Sequence, residues 1–234
     1  MRNSIMHDLR TRKTKRNGKI EVQFIHKGMA CQAIEVNTKL GKLCADFQLI
    51  TKDLEIVEST IKTAMTYRQK LEASALKNEP YNRDHPDHIV FGSLLISSIV
   101  TYWKCFASST RRRGKIPEQK LKSTIGDELY KIHLMIQDKR NSFVAHAGEN
   151  QHESAKSVIL IDPHAVAPHV LIFHSTFEYF AISEHLEDFL KLVEKVAELT
   201  KATQQEKCSI LNKELDEIFP DLLKTAKDHI IFLD

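Results

Sequence analysis

Between residues 35 and 76 the apolar positions fall at Leu40, Leu43, Cys44, Phe47, Ile50, Leu54, Val57, Ile61, Ala64 and Met65, with no proline and only Gly41 in the stretch. Steps of three and four residues trace one face of a helix. The segment is therefore one long helix, or two separated by a kink. Residues 78–86 form a polar loop closed by Pro80 and Pro86, after which Asp87 is placed to cap a second helix reaching about Ser109. That helix carries Leu94, Leu95, Ile96, Ile99, Val100, Trp103 and Phe106, and its apolarity on nearly every side marks a central element covered by its neighbours. Tyr102, Trp103 and Phe106 read as core on this ground rather than as rings that stack bases. Pro117 suits the first turn of a third helix, which the pattern extends to about Ala147 with Gly148 as its stop. Ser183 is placed to cap a helix to about Gln204, and a last helix covers roughly 206–227, interrupted near Pro220.

Two short runs depart from this period. Residues 157–162 (SVILID) and 169–175 (HVLIFHS) are β-branched and apolar, joined by a segment containing Pro163 and Pro168, and predict a β-hairpin set between helices. Ile20, Val22 and Phe24 alternate with polar residues and give a weaker strand signal. The expected fold is mainly α, an antiparallel bundle of four or more helices with a small β-hairpin insertion. Residues 1–30 form a basic N-terminal arm containing that short strand, with 1–18 disordered or loosely docked. Residues 31–234 form the helical domain, with its core at 87–148, the hairpin at 157–175 and the C-terminal helices at 183–227.

Composition sharpens this picture. Only 7 glycines and 6 prolines in 234 residues disfavour a turn-rich all-β fold. Cys31, Cys44, Cys105 and Cys208 are scattered without a CxxC pair, the usage expected of a reducing compartment. No window of about 18 apolar residues exists to span a membrane, and the basic N-terminus is not followed by the apolar run of a secretory leader. A cytoplasmic chain with no membrane partner is the expectation. The net charge of +3 hides a local excess: residues 1–27 hold eight Lys and Arg against Asp8 and Glu21. A second basic run, Arg111, Arg112, Arg113 and Lys115, follows the most apolar helix. Such runs can neutralise phosphates, and Lys139 adds a further cation beside the motif considered next. The plainer reading is a solvated tail and a helix end whose cations suit its dipole.

The segment Lys139-Arg140-Asn141-Ser142-Phe143-Val144-Ala145-His146 falls at the end of the third helix. Two other stretches share an Arg separated from a His, Arg2-Asn3…His7 and Arg83-Asp84…His88, but the first lies on the basic terminus and the second contains Pro86. Only Arg140…His146 lies on a helix with a core-facing stripe. At 100° per residue, Leu129, Ile132, Ile136 and Phe143 cluster within roughly 60°, with Arg140 about 60° to one side of Phe143 and His146 about 60° to the other. The two polar groups flank the stripe some 120° apart, so two copies related by a dyad would assemble one site more readily than one copy. RNSFVAHA resembles the RN-x-x-x-AH signature of HEPN-superfamily domains of the abortive-infection and toxin type, and the apolar helix before it matches the surroundings of that signature over about residues 87–148.

The resemblance implies a homodimer and a metal-independent endoribonuclease acting on RNA in phage defence or as a toxin, with an antitoxin or other regulatory protein as a further partner. No cofactor or metal is expected. Arg140, Asn141 and His146 would be the catalytic set; Arg111, Arg112, Arg113, Lys115 and Lys139 would hold RNA. Imidazole titrates ordinarily near about pH 6.5 and can take the ribose 2′-OH proton or supply one to the leaving 5′-oxygen. The guanidinium fork suits the charge on pentavalent phosphorus, and Asn141 would orient Arg140 or the phosphate. The alternative is a non-catalytic HEPN-like module that binds RNA, a nucleotide or a protein. The plain readings are a His that caps its helix and an Arg in a surface ion pair with Asp138 or Glu128. His164, His169 and His174, and His85 and His88 near Asp84 and Asp87, show no convergent metal-ligand spacing. Phosphate-loop, dinucleotide and serine-hydrolase motifs are absent from the sequence.

Overall fold

The computed structural model describes residues 8–16, 19–31, 33, 35–76, 85–107, 114–141, 153–160, 169–176, 184–225 and 231–233. It is mainly helical. In chain order the elements are β1 (Leu9–Arg16), β2 (Lys19–His26), β3 (Met29–Cys31), α1 (Lys39–Leu76), α2 (Pro86–Lys104), α3 (Glu118–Lys139), β4 (Glu153–Leu160), β5 (His169–Thr176), α4 (Leu186–Thr225) and β6 (Ile231–Leu233). The chain divides into two compact units, one made of residues 1–44 with 205–234 and the other of 45–204.

In the larger unit α1 buries Phe47, Ile50, Leu54, Val57, Ile61 and Ala64, an unbroken alternation of three- and four-residue steps. α4 repeats it with Leu186, Phe189, Val193, Val196, Thr200 and Thr203, and α2 approximates it with Phe91, Leu95, Ser98, Tyr102 and the following Cys105. This is the 3–4 spacing of the seam in a helical bundle. The hydroxyls within the seam are satisfied by their own helices: Thr51 donates to Phe47 O at 3.0 Å, Ser98 to Leu94 O at 2.8 Å, Thr200 to Val196 O at 2.7 Å and Thr203 to Leu199 O at 2.8 Å. The direction of packing follows from cross-links near opposite ends. Gln204 donates to Gln48 at 2.8 Å, while Arg68 meets Glu187 at 3.5 Å, so α1 and α4 run antiparallel. Lys104 at the end of α2 reaches Asp53 of α1 at 2.8 Å.

Several expected boundaries move. α1 is a single helix, and α4 runs unbroken through 204–206, where two helices were expected; no glycine or proline interrupts that stretch. α2 stops at Lys104, short of Ser109, and its N-cap is His85 rather than Asp87. The His85 imidazole accepts from the Asp87 N–H at 3.2 Å, and Pro86 takes the first helical position, where its missing N–H costs nothing. The hairpin is present as β4 and β5, antiparallel from Glu153↔Thr176 to Leu160↔His169, four residues earlier at its start than predicted. The proposed Ser183 cap lies outside the described residues, as does the part of the third helix predicted beyond Asn141.

α3 is broken. Gly126 sits at φ 77°, ψ 168°, a region essentially confined to glycine. Side-chain contacts show the fold-back: the Tyr130 hydroxyl donates to Glu118 at 2.7 Å, and Lys122 lies 5.1 Å from the centre of the Tyr130 ring. Twelve residues of straight helix would separate Glu118 from Tyr130 by about 18 Å along the axis. A Cβ at Gly126 would meet nothing within 4 Å, so any penalty at this position comes from the backbone alone. Gly126→Ala is accordingly expected to lower stability by about 1–3 kcal/mol. The effect should appear as a lower urea midpoint with an unchanged slope; an unchanged midpoint would mean that α3 is continuous.

The smaller unit contains a sheet the sequence reading did not foresee in full. β2 pairs antiparallel with β1 along its whole length, from Leu9↔His26 to Arg16↔Lys19. On its other side β2 takes β3 at Phe24–His26 and β6 at Ile20–Val22. Residues 9–16, expected to be a loose arm, are thus a full strand. The β2–β3 turn has Lys27 at φ 50° and Gly28 at φ 80°, the doubly positive geometry of a two-residue hairpin turn. Cys44 is buried against Cys208 in this unit, and burial, followed by the hydrogen bond to Cys208, pushes its thiol up to about 11.

Candidate functional site

The second half of α3 carries Arg140 and Asn141 at its end. Its buried face is centred on Ile136, 0% exposed, with His133 at 1% and Lys139 at 7% on either side. Arg140 keeps helical angles, φ −60°, ψ −43°. It therefore projects within about 40° of Ile136 and two turns from His133, on the packed side of the helix. Arg140 is half-buried as a residue, and its Nη1 donates to Asn141 Oδ1 at 3.0 Å in an exposed contact between sequence neighbours. A planar cation whose torsions are restrained by a neighbouring amide presents its remaining N–H groups in a fixed fork, the form that matches two oxygens of one phosphate. Glu128, one candidate partner for Arg140, pairs instead with Lys131 at 2.7 Å.

The remaining predicted residues divide. Lys115 is exposed and stands on a tethered segment: the Gly114 N–H donates to Asp46 Oδ2 at 2.8 Å and the Ile116 N–H to Cys105 O at 3.3 Å. Lys139 is buried. His146, Arg111, Arg112 and Arg113 lie outside the described residues. Of the predicted catalytic set, the neighbours Arg140 and Asn141 are described, and they are hydrogen-bonded to each other.

Two turns before Arg140 on the same helix is a polar pair that sequence reasoning missed. The Tyr102 hydroxyl and His133 Nδ1 are hydrogen-bonded at 2.9 Å in the core. Rings close around the imidazole: Trp103 at 5.4 Å, Phe106 at 4.8 Å in an edge contact, and Tyr130 stacked at 5.7 Å. Phe189 of α4 meets Tyr102 edge-on at 5.4 Å. Burial drives the His133 pKa down to about 4, opposed weakly by Glu118, and holds the Tyr102 phenol well above its usual value. At neutral pH the pair is uncharged. At 1% exposure His133 is a core contact that ties α2 to the helix bearing Arg140. The signal that could have found it is its place, seven residues before Arg140 and on the same face.

Among the described residues no group of three or more His, Cys, Asp or Glu converges as a metal site, and no helix is long and apolar enough to cross a membrane. His85 and His88 sit at the start of α2; burial first, then the neighbouring His85, lowers the His88 pKa, against the opposing pull of Asp87. Trp103 and Phe106 are half-buried and Tyr102 is wholly buried, so these rings act chiefly as packing. No protein-family model, curated protein or solved structure matches the chain.

Proposed function

We propose that the chain is a metal-independent endoribonuclease of HEPN type that works as a homodimer, with Arg140, Asn141 and His146 of each copy serving a shared cleft. The observation that carries this reading is the Arg140–Asn141 hydrogen bond at the end of a helix anchored to its apolar neighbour. The motif, the apolar α2 that precedes it and the resemblance noted above supply the rest.

In the proposed reaction the 2′-oxygen attacks the adjacent phosphorus, the P–O5′ bond breaks, and the products are a 2′,3′-cyclic phosphate and a 5′-hydroxyl. His146 handles the proton, either taking it from the 2′-OH or giving one to the departing 5′-oxygen. Arg140 stabilises the negative charge that builds on the equatorial oxygens, and Asn141 holds the guanidinium in place. A neutralising antitoxin or other regulator would be the natural partner of such an enzyme in a cytoplasmic setting.

The test is cleavage of several RNAs in excess EDTA, with the 3′ ends analysed chemically. Cyclic-phosphate ends produced under chelation are expected. No cleavage of any RNA would transfer the site to the alternative, a binding module using the same arginine; cleavage abolished by EDTA would overturn the proposed mechanism.

A further inference from the structure

We propose that strand β1 is a docking track for single-stranded RNA, gripped through its phosphates by Arg10, Arg12, Lys13 and Lys15. The strand LRTRKTKR carries five cations and no carboxylate in eight residues. It is an outer strand: its pairing is to β2 on one side, and no other described strand pairs with it. Arg10, Arg12, Lys13 and Lys15 are all exposed.

Their density on one strand sets them apart. Along the helices, several exposed cations are answered within one turn by carboxylates, Lys52 by Glu55 at 2.6 Å, Lys131 by Glu128 at 2.7 Å, Lys191 by Asp188 at 3.0 Å and Lys195 by Glu198 at 2.8 Å. Others, such as Lys39, Lys42 and Lys213, pair with no described carboxylate but stand singly or beside acidic residues. Among the described residues no side chain pairs with any of the four cations of β1. Four neighbouring like charges repel one another in the free protein, and a polyanion laid along them would relieve that repulsion.

The two-residue period of a strand decides which polyanion fits. Arg10 and Arg12 share one face of β1, and Lys13 and Lys15 share the other. The cations therefore flank the free edge from both sides, about 7 Å apart along each face. An extended phosphate chain lying along that edge meets both rows at once. A membrane plane would meet one face and leave the other row unused. A second copy docked edge to edge would bring two basic rows together, which cations on an outer strand are known to oppose. The choice of RNA among nucleic acids rests on the ribonuclease reading; the phosphate chemistry rests on β1 alone.

The experiment is fluorescence anisotropy of a labelled, single-stranded 2′-O-methyl oligoribonucleotide binding the full-length protein over a range of salt concentrations. The probe has no free 2′-hydroxyl, so binding is read whether or not the chain cleaves RNA, and the two ideas fail separately. The variant Arg10→Gln/Arg12→Gln/Lys13→Gln/Lys15→Gln is expected to flatten the slope of log affinity against log salt by about 3, at about 0.7 per phosphate contact on a single strand. Should that variant not melt like wild type, Lys13→Gln/Lys15→Gln alone is expected to flatten it by about 1.4. A slope unchanged in a folded variant would overturn the proposal. So would loss of binding to phosphatidylserine vesicles with RNA binding intact, or self-association in sedimentation as the variant's one change, which would make the cations guards of a sheet edge.

Discussion

Arg140→Lys should lose nearly as much RNA cleavage as Arg140→Ala, each lowering kcat/KM by about a hundredfold or more, the magnitude typical of removing one preorganised donor to a transition-state oxyanion. Charge is kept in the first substitution, so a site that needed only a cation would be spared. The expectation follows from geometry: the guanidinium gives one N–H to Asn141 Oδ1 at 3.0 Å and still has a fork to offer, whereas a lysine ammonium on a flexible stem cannot do both in one plane. Asn141→Ala removes the restraint but leaves the fork, so it should cost about tenfold, in line with a hydrogen bond to a charged group. His146→Ala should fall in the range of about 10²–10⁴ expected for losing a general acid or base. The double variant Arg140→Ala/His146→Ala should be little worse than the poorer single one, because groups that act in one step are not additive. All are read from initial rates on one RNA, after circular dichroism and thermal melting have shown that each variant folds. Cleavage unaltered by Arg140→Ala, with stability lowered, would reduce Arg140 to a structural residue at a helix end.

How much of this was legible in the sequence depends on the kind of signal. Helices that bury a continuous row of aliphatic residues declare themselves, and Phe47 through Ala64 on α1 did so without the structure, because nothing but a helix places those positions on one line. β1 did not, since Arg10, Arg12, Lys13 and Lys15 give no alternation of apolar and polar residues, and its partner β2 supplies the apolar positions. The one local cue was Asn17-Gly18, the pair favoured between the strands of a tight hairpin, standing between Arg16 and Lys19. The break at Gly126 was hidden because a single glycine is often tolerated within a helix. Of the candidate site, Arg140 and Asn141 could be located from the motif, but the contact between them is a property of rotamers and needs the structure to be seen. The stripe drawn through Leu129, Ile132, Ile136 and Phe143 left out His133, because histidine is ordinarily counted as polar. Its burial depends on Tyr102, thirty-one residues earlier, and no periodicity links the two.

That buried pair makes the protein acid-labile in a predictable window. His133 has its pKa lowered to about 4 in the folded chain, from an ordinary value of 6.5, so between those values the unfolded chain binds the proton and the folded chain does not. Above pH 6.5 the histidine is neutral in both states and makes no pH-dependent contribution. As pH falls from 6.5 to 4 the folded state loses ground, by about 3 kcal/mol in total for a shift of this size, and below 4 the loss is complete. Carboxylates titrate over part of the same range, so the signature is a difference between proteins rather than an absolute curve. Tyr102→Phe/His133→Phe replaces both partners with rings of similar shape, which should leave neutral-pH stability close to wild type while flattening the acid limb by about 3 kcal/mol. Tyr102→Phe alone strands the imidazole nitrogen in a core lined by Phe106, Tyr130 and Phe189, and should cost about 1–3 kcal/mol at neutral pH. Urea titrations at pH 7 and pH 4.5 on wild type and these two variants measure both terms. If wild type and the double variant lose stability in parallel, His133 is titrating freely and its ring cannot be sealed between α2 and α3. If only wild type falls, the neutral imidazole is part of what holds α2 against the helix that carries Arg140, and cleavage should decline over the same window before the chain unfolds.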